Sequence, residues 1–174
     1  MIGWLLGGYS FIRGTELQNI LIVCEDKILR KDVSKVLATE LNFLYVDVDE
    51  ILDYELLSHQ DISLIEASEA LEKLERKSIE RALGFDNCVI SLSRDLFVSN
   101  DNFRLFDKCK KVFIELSKGY FVARYKGDKR NLEQDVALFD KINKLISVNC
   151  DIVLQKEIKS IVEIGKEIGE KLKK

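Results

Sequence analysis

Proline is absent from this chain of 174 residues, and histidine and tryptophan occur once each, as His59 and Trp4. Without proline, loops must be recognised from glycine and polar residues, so element types are predicted more sharply than their ends. A single histidine excludes a histidine metal centre, and we expect His59 to lie in a surface loop. The four cysteines include no CxxC pair, which argues against a zinc site and a disulfide framework and predicts buried, reduced thiols in a cytoplasmic protein.

Long hydrophobic runs and basic tracts are missing as well. The most apolar stretch, residues 1–12 (MIGWLLGGYSFI), is too short to span a bilayer and lacks the basic start of a signal peptide. We expect residues 1–17 to form an apolar extension that packs on the domain or meets a protein partner. Lys and Arg (27) and Asp and Glu (30) are mixed along the chain, which indicates neither a nucleic-acid partner nor a membrane partner.

From residue 18 onward, short apolar runs alternate with amphipathic stretches. Strands are predicted at 19–24, 43–46, 88–92, 111–115 and 151–154, and helices at 32–42, 49–57, 67–83 and around 158–172, with further helices between the later strands. Alternation of buried strands with crossover helices is typical of a parallel sheet covered on both faces. We therefore predict one α/β domain over residues 18–174, with three layers and a five-stranded parallel sheet.

Two carboxylates follow the second predicted strand, where ligands of open α/β sheets bind. Asp47 and Asp49 are two residues apart, so an extended segment would place both side chains on the same side. Such a pair can bind Mg²⁺ through water and accept a hydrogen bond from a substrate hydroxyl. The alternative is that Asp47 ends the strand and Asp49 caps the next helix.

The segment 19–50 resembles the opening of the shikimate kinases: a strand, a phosphate loop, a helix and a short strand that ends in D-[ST]-D-E, here D-V-D-E. Residues 67–75 (ASEALEKLE) resemble the family's G-E-x-x-F-R-x-x-E stretch, and residues 89–95 (VISLSRD) resemble V-x-x-L-G-G-G. Arg130 begins an R-N-L segment where the family's lid carries R-P-L, and residues 150–153 (CDIV) match A-D-x-x-V. The resemblance implies the fold of a P-loop kinase and the use of ATP and Mg²⁺ in aromatic amino acid biosynthesis.

The phosphate loop departs from the family pattern G-x-x-G-x-G-K-[ST]-T. Residues 24–32 (CEDKILRKD) align with it and contain no glycine, whose freedom at positive φ lets backbone N–H groups surround phosphates. Arg30 falls at the lysine position, and Lys31 replaces the hydroxyl that holds Mg²⁺. The resemblance thus implies that Arg30 and Lys31 are what remains of nucleotide binding in a degenerate Walker A loop.

The substrate side departs too. Glu72 aligns with an arginine that would pair with a carboxylate substrate, and Arg94 lies in the segment that replaces a glycine loop. On the family pattern, Asp47 and Arg130 are the implied catalytic residues, with Asp47 also a magnesium ligand, and Asp49 and Arg94 are the implied substrate-binding residues.

Three functional hypotheses follow. The first is a pseudoenzyme that retains the fold as a binding or regulatory module, with no cofactor and with a small molecule or a protein as partner. The second is an active shikimate kinase or related kinase that uses ATP and Mg²⁺, with Arg30, Arg94 and Arg130 arranged around the anions. The third is a different enzyme that reuses the cleft beside Asp47 and Asp49.

Overall fold

A computed structural model of the chain describes residues 18–58, 67–128, 131–155 and 160–172. The expectations for residues 1–17 and for His59 lie outside the described residues. The strands are β1 (Ile20–Cys24), β2 (Leu44–Asp47), β3 (Cys88–Ser93), β4 (Lys110–Glu115) and β5 (Ile152–Gln155). Every predicted strand is present within one residue at each end.

The helices alternate with these strands. They are α1 (Lys27–Leu41), α2 (Val48–Ser58), α3 (Ala67–Leu83), α4 (Arg94–Val98), α5 (Lys118–Arg124), α6 (Leu132–Val148) and α7 (Ile161–Leu172), with 3₁₀ turns over Ser99–Phe106. One predicted boundary is wrong by five residues, because α1 begins at Lys27 rather than at Asp32. The buried face of this helix already includes Leu29, one turn before Val33. The first turn was missed because the resemblance had assigned residues 24–32 to a phosphate loop.

The five strands form one parallel sheet in the order β2-β3-β1-β4-β5. The central strand β1 pairs with β3 from Ile20 opposite Val89, and with β4 from Ile20 opposite Lys110. All five residues of β1 are buried, as expected for a strand covered on both faces. Parallel pairing places the carboxyl ends of all strands at one edge of the sheet, so the segments that follow them lie side by side.

Two core clusters lie on the two faces of the sheet. Ile20 and Ile22 of β1 belong to the cluster that includes the buried residues of α1 and α7, and Leu21 and Val23 belong to the cluster that includes those of α3 and α4. Successive β1 side chains thus pack on opposite layers, as the twofold period of a strand dictates. The predicted three-layer α/β architecture is confirmed.

The cysteines agree with the prediction of buried thiols. Cys24, Cys88 and Cys109 are buried, Cys150 is half-buried, and all four are free. Burial raises the pKa of the Cys88 thiol to about 12, which keeps this side chain protonated and unreactive at neutral pH.

Candidate functional site at the carboxyl edge of the sheet

The connection between β1 and α1 is only two residues long, Glu25 and Asp26. Asp26 has extended backbone angles (φ −72°, ψ 106°), and its Oδ1 accepts a hydrogen bond from the N–H of Leu29 at 3.0 Å. The segment 27–32, aligned with the second half of a phosphate loop, is therefore helical from its first residue. A side-chain carboxylate caps the helix end that would otherwise face an anion.

Asp26 also connects this helix end to α5. Its Oδ2 accepts hydrogen bonds from Tyr120 Oη at 2.5 Å and from Arg124 at 2.7 Å. Burial, reinforced by the neighbouring Asp26 carboxylate, raises the pKa of Tyr120 to about 12. The Arg124 guanidinium lies over the Tyr120 ring, 4.5 Å from its centroid. Tyr120 and Arg124 lie more than 90 residues from Asp26 in the sequence, so no local pattern predicted that the three side chains form one group.

Arg30, predicted to face a nucleotide, points into the protein and is only 1% exposed. Its Nε donates to Ser91 Oγ at 3.0 Å, one terminal nitrogen donates to the carbonyl of Cys24 at 3.0 Å, and the other forms an ion pair with Asp49. The planar guanidinium thus binds three elements at once, which a lysine could not do.

Lys31 is likewise paired with two carboxylates, one at the end of β2 and one in the first turn of α2. Its Nζ lies 3.1 Å from Asp47 Oδ2 and 2.7 Å from Glu50 Oε1. The hydrogen bond to Glu50 is the main reason that the pKa of Lys31 is raised. Arg30 and Lys31, the cations implied for nucleotide binding, therefore neutralise Asp49 and Asp47, the aspartates implied for substrate binding and catalysis.

Asp47 and Asp49 do not share an extended segment, so that prediction is wrong. Asp47 is the last residue of β2, and Asp49 lies in the first turn of α2. Asp47 Oδ1 accepts hydrogen bonds from the N–H groups of Asp49 at 3.0 Å and Glu50 at 3.3 Å, so Asp47 is the residue that caps the helix. The alternative had assigned that capping role to Asp49.

Both oxygens of the Asp47 carboxylate, the implied magnesium ligand, already have partners in the protein. Besides the two backbone donors on Oδ1, its Oδ2 accepts a hydrogen bond from Tyr45 Oη at 2.8 Å and pairs with Lys31. No group of three or more His, Cys, Asp or Glu side chains is arranged to hold a metal ion within the described residues. In this arrangement the residues do not fit Mg²⁺.

Arg94 follows β3 and is 9% exposed. It donates to Glu25 Oε2 at 2.9 Å, and its guanidinium lies 5.3 Å from the centroid of the Phe139 ring. Burial raises the pKa of Glu25 above its ordinary value, although the charge of Arg94 opposes the shift. The remaining implied catalytic residue, Arg130, lies outside the described residues.

The two implied substrate residues, Asp49 and Arg94, line different hollows at this edge of the sheet. A cleft of about 510 Å³ lies between the β1–α1 connection, α5 and α6, and Arg94 lines it. A second hollow of about 410 Å³ is lined by Asp49 together with Asp53, Glu75 and Asp95. Glu75, rather than Glu72, is the α3 carboxylate at this hollow. Glu75 lines the hollow because of the face that α3 presents to α2. The spacing of residues along the sequence did not predict which face that is.

Solved structures of similar fold define the class of protein. A shikimate kinase from Acinetobacter baumannii in complex with shikimate matches with a TM-score of 0.71 and 15% identity, over 90% of this chain and 93% of that one. A shikimate kinase from Aquifex aeolicus matches with a TM-score of 0.70 and 24% identity, over 89% and 96%. The chain therefore has the α/β fold of the P-loop small-molecule kinases.

Sequence comparison narrows the class to a family. The family model for shikimate kinase matches residues 31–173. A shikimate kinase from Persephonella marina is 31% identical over 160 residues, which cover 87% of this chain and 97% of that relative. The chain belongs to the shikimate kinase family. Among the residues that the structure describes, no helix combines the length and the apolar character that crossing a membrane requires.

Proposed function

We propose that this member of the shikimate kinase family does not transfer phosphate and serves as a binding or regulatory module. The observation that carries the proposal is the mutual neutralisation of the implied site residues. Arg30 pairs with Asp49, Lys31 pairs with Asp47, and Arg94 pairs with Glu25, so the cations implied for nucleotide and substrate binding are already used.

The helix end supports the same proposal. A phosphate loop binds anions because several backbone N–H groups turn toward one point, and glycine makes that curvature possible. Here the connection has two residues, and Asp26 takes the N–H of Leu29 with its own carboxylate. A triphosphate would have to displace this carboxylate and then lie beside it and Glu25. The family-model match also begins at Lys31, after the segment 24–30.

The charge of the second hollow favours the same conclusion. Four of its lining side chains are carboxylates, and Lys27 is its one lining cation among the described residues. A carboxylate substrate such as shikimate, which the Acinetobacter relative binds, would meet net negative charge there. Phosphoryl transfer depends on positioning and charge stabilisation, and both are lost when cations are paired internally and carboxylates replace them.

The second candidate is an active kinase, and the similarity to the Persephonella enzyme over 97% of that relative favours it. It requires ATP and Mg²⁺, and it requires Arg30 and Lys31 to leave Asp49 and Asp47 when the nucleotide binds. Arg94 would then release Glu25 to hold the substrate.

Thermal unfolding with Mg²⁺-ATP, with Mg²⁺ alone and with shikimate tests the choice. A ligand at about 100 times its Kd stabilises the folded state by about 2.7 kcal/mol, which raises the Tm of a domain of this size by roughly 5–10 °C. We expect no shift with any of the three. A Tm rise with Mg²⁺-ATP would contradict the proposal.

Phosphate transfer to shikimate is measured beside the unfolding assay. We expect no turnover above the background of the preparation. If turnover is found, Asp49→Ala separates the protein's own activity from contamination. The control is Asp107→Ala, at an exposed aspartate that lines neither hollow. Turnover that Asp49→Ala abolishes and Asp107→Ala retains would establish the kinase.

A further inference from the structure

The cleft of about 510 Å³ between the β1–α1 connection, α5 and α6 has walls unlike those of a phosphate site. We call it the aromatic cleft, and define it by Tyr120, Phe121, Tyr125, Leu138 and Phe139. Its volume lies within the range of small-molecule sites, about 300–1,000 Å³. It lies at the carboxyl edge of the sheet, where open α/β folds bind their ligands.

The rings of this cleft are already arranged in contact with one another. Phe121 stacks on Phe139 with centroids 4.4 Å apart and an interplanar angle of 24°, and Phe121 lies 5.8 Å from Tyr125. Phe139 is a buried core residue, which holds this wall in place. A flat ring from a ligand can extend such a stack by offset or edge contacts.

The charges along the cleft are mostly paired. Arg94 pairs with Glu25, Arg124 pairs with Asp26, and Asp135 accepts a hydrogen bond from the Tyr125 hydroxyl. Two lysines of the cleft, Lys27 and Lys126, differ from these residues in their pairing.

Lys27 and Lys126 line the same cleft and form no ion pair with any residue in the described ranges. The cleft is lined by four cations and three carboxylates, so the two lysines leave it with a net excess of one positive charge.

We infer that the aromatic cleft binds a small molecule with a flat aromatic body and one anionic group, the rings lying against Phe121 and Leu138 and the anion near Lys27 and Lys126. The inference rests on the proposed function, because a nucleotide in the cleft would exclude such a ligand. Binding of such a ligand differs from phosphate recognition, because its contact area with the cleft is apolar and a single anionic group on the ligand is sufficient.

The test uses the full-length protein and two probes, 2-naphthoate and its neutral analogue 2-naphthylmethanol, in calorimetric titration. Leu138 is 54% exposed and lines the cleft, so Leu138→Glu adds a repelling charge there without disturbing the core. Leu145 is 43% exposed on the same helix and does not line the cleft, which makes Leu145→Glu the matched control.

We expect 2-naphthoate to bind the natural protein and Leu145→Glu alike, and to bind Leu138→Glu at least about tenfold more weakly. The double variant Lys27→Gln/Lys126→Gln should weaken 2-naphthoate about fivefold and leave 2-naphthylmethanol unchanged. Lys144→Gln, at an exposed lysine of α6 that does not line the cleft, should affect neither. Absence of 2-naphthoate binding, or equal loss in Leu138→Glu and Leu145→Glu, would overturn the inference.

Competition with Mg²⁺-ATP distinguishes this inference from the proposed function. If Mg²⁺-ATP binds, the proposed function is wrong. If it also displaces 2-naphthoate, the cleft is a nucleotide site, and the inference that a distinct aromatic anion is its ligand is overturned as well. If Mg²⁺-ATP does not bind and 2-naphthoate does not bind either, only the aromatic cleft is refuted. If 2-naphthoate binds with the expected dependence on Leu138 and is unaffected by Mg²⁺-ATP, the inference is supported.

Discussion

Replacing Arg30 by methionine tests whether this buried cation holds the site together. The change removes the donors for Asp49, Ser91 Oγ and the carbonyl of Cys24 in one step. Breaking a buried ion pair from one side costs about 3–5 kcal/mol. Because the Asp49 side chain remains 19% exposed, water can partly replace the lost partner, and we expect the lower end, about 3 kcal/mol. The Tm should fall by roughly 6–12 °C.

The assay is equilibrium unfolding in urea, followed by far-UV circular dichroism, with Arg76→Met as the control. Arg76 is an exposed helical arginine with one ion pair, and we expect its loss to change the free energy of unfolding by less than about 0.5 kcal/mol. A cycle with Asp49→Asn should give a coupling energy of at least about 1 kcal/mol. If Arg30→Met lowers the free energy of unfolding by less than about 1 kcal/mol, or if the coupling to Asp49 is absent, the pairing of Arg30 with Asp49 does not stabilise the site and the reasoning is refuted.

Three further predictions concern the helices around the site. Asp26→Ala should cost at least about 1 kcal/mol of unfolding free energy, measured in urea, because α1 loses its cap; an unchanged midpoint would contradict the capping role. In α7, a Cβ at Gly165 would meet a valine of α1 at 3.0 Å, whereas a Cβ at Gly169 would meet only a flexible side chain at 3.9 Å. Thermal unfolding should therefore show Gly165→Ala to be about 1 kcal/mol less stable than Gly169→Ala. Equal Tm values for the two variants would show that α7 packs more loosely. The hydrogen bond to Glu50 raises the pKa of Lys31 above 10.5. The contribution of the charged lysine to stability is therefore complete below pH 10.5 and is lost as the pH rises through the raised pKa. Between neutral and alkaline pH, the natural protein should lose more unfolding free energy than Lys31→Met, and an equal loss in both would refute the shift.

The site also explains why the family resemblance and the proposed loss of chemistry are compatible. The strand, helix and aspartate pattern of residues 19–50 is built by core packing and helix capping, which do not require a nucleotide. Asp47 caps α2 and Asp49 holds Arg30, so both aspartates have structural roles in this chain. Their presence is therefore no argument for catalysis by itself.

The sequence by itself determined the layers and the family. Buried strands and amphipathic helices have periods of two and 3.6 residues, and these local patterns predicted all five strands and the helix 67–83. The start of α1 was missed, because residues 24–32 were aligned with a phosphate loop although Leu29 lies one turn before Val33 on the buried face. The side-chain cap at Asp26 sets where the helix begins. The boundary of the predicted domain at residue 18 stays a prediction, since residues 1–17 lie outside the described part.

Only the tertiary structure decided what the charged residues do. Arg30 reaches Ser91, 61 positions away, and Asp26 reaches Arg124, 98 positions away. Such contacts depend on the strand order, which places the ends of β2, β3, β1 and β4 side by side, and on the direction in which each side chain leaves its helix. No local pattern encodes these distances, because a charge is stabilised by whichever opposite charge the fold brings within a few ångströms.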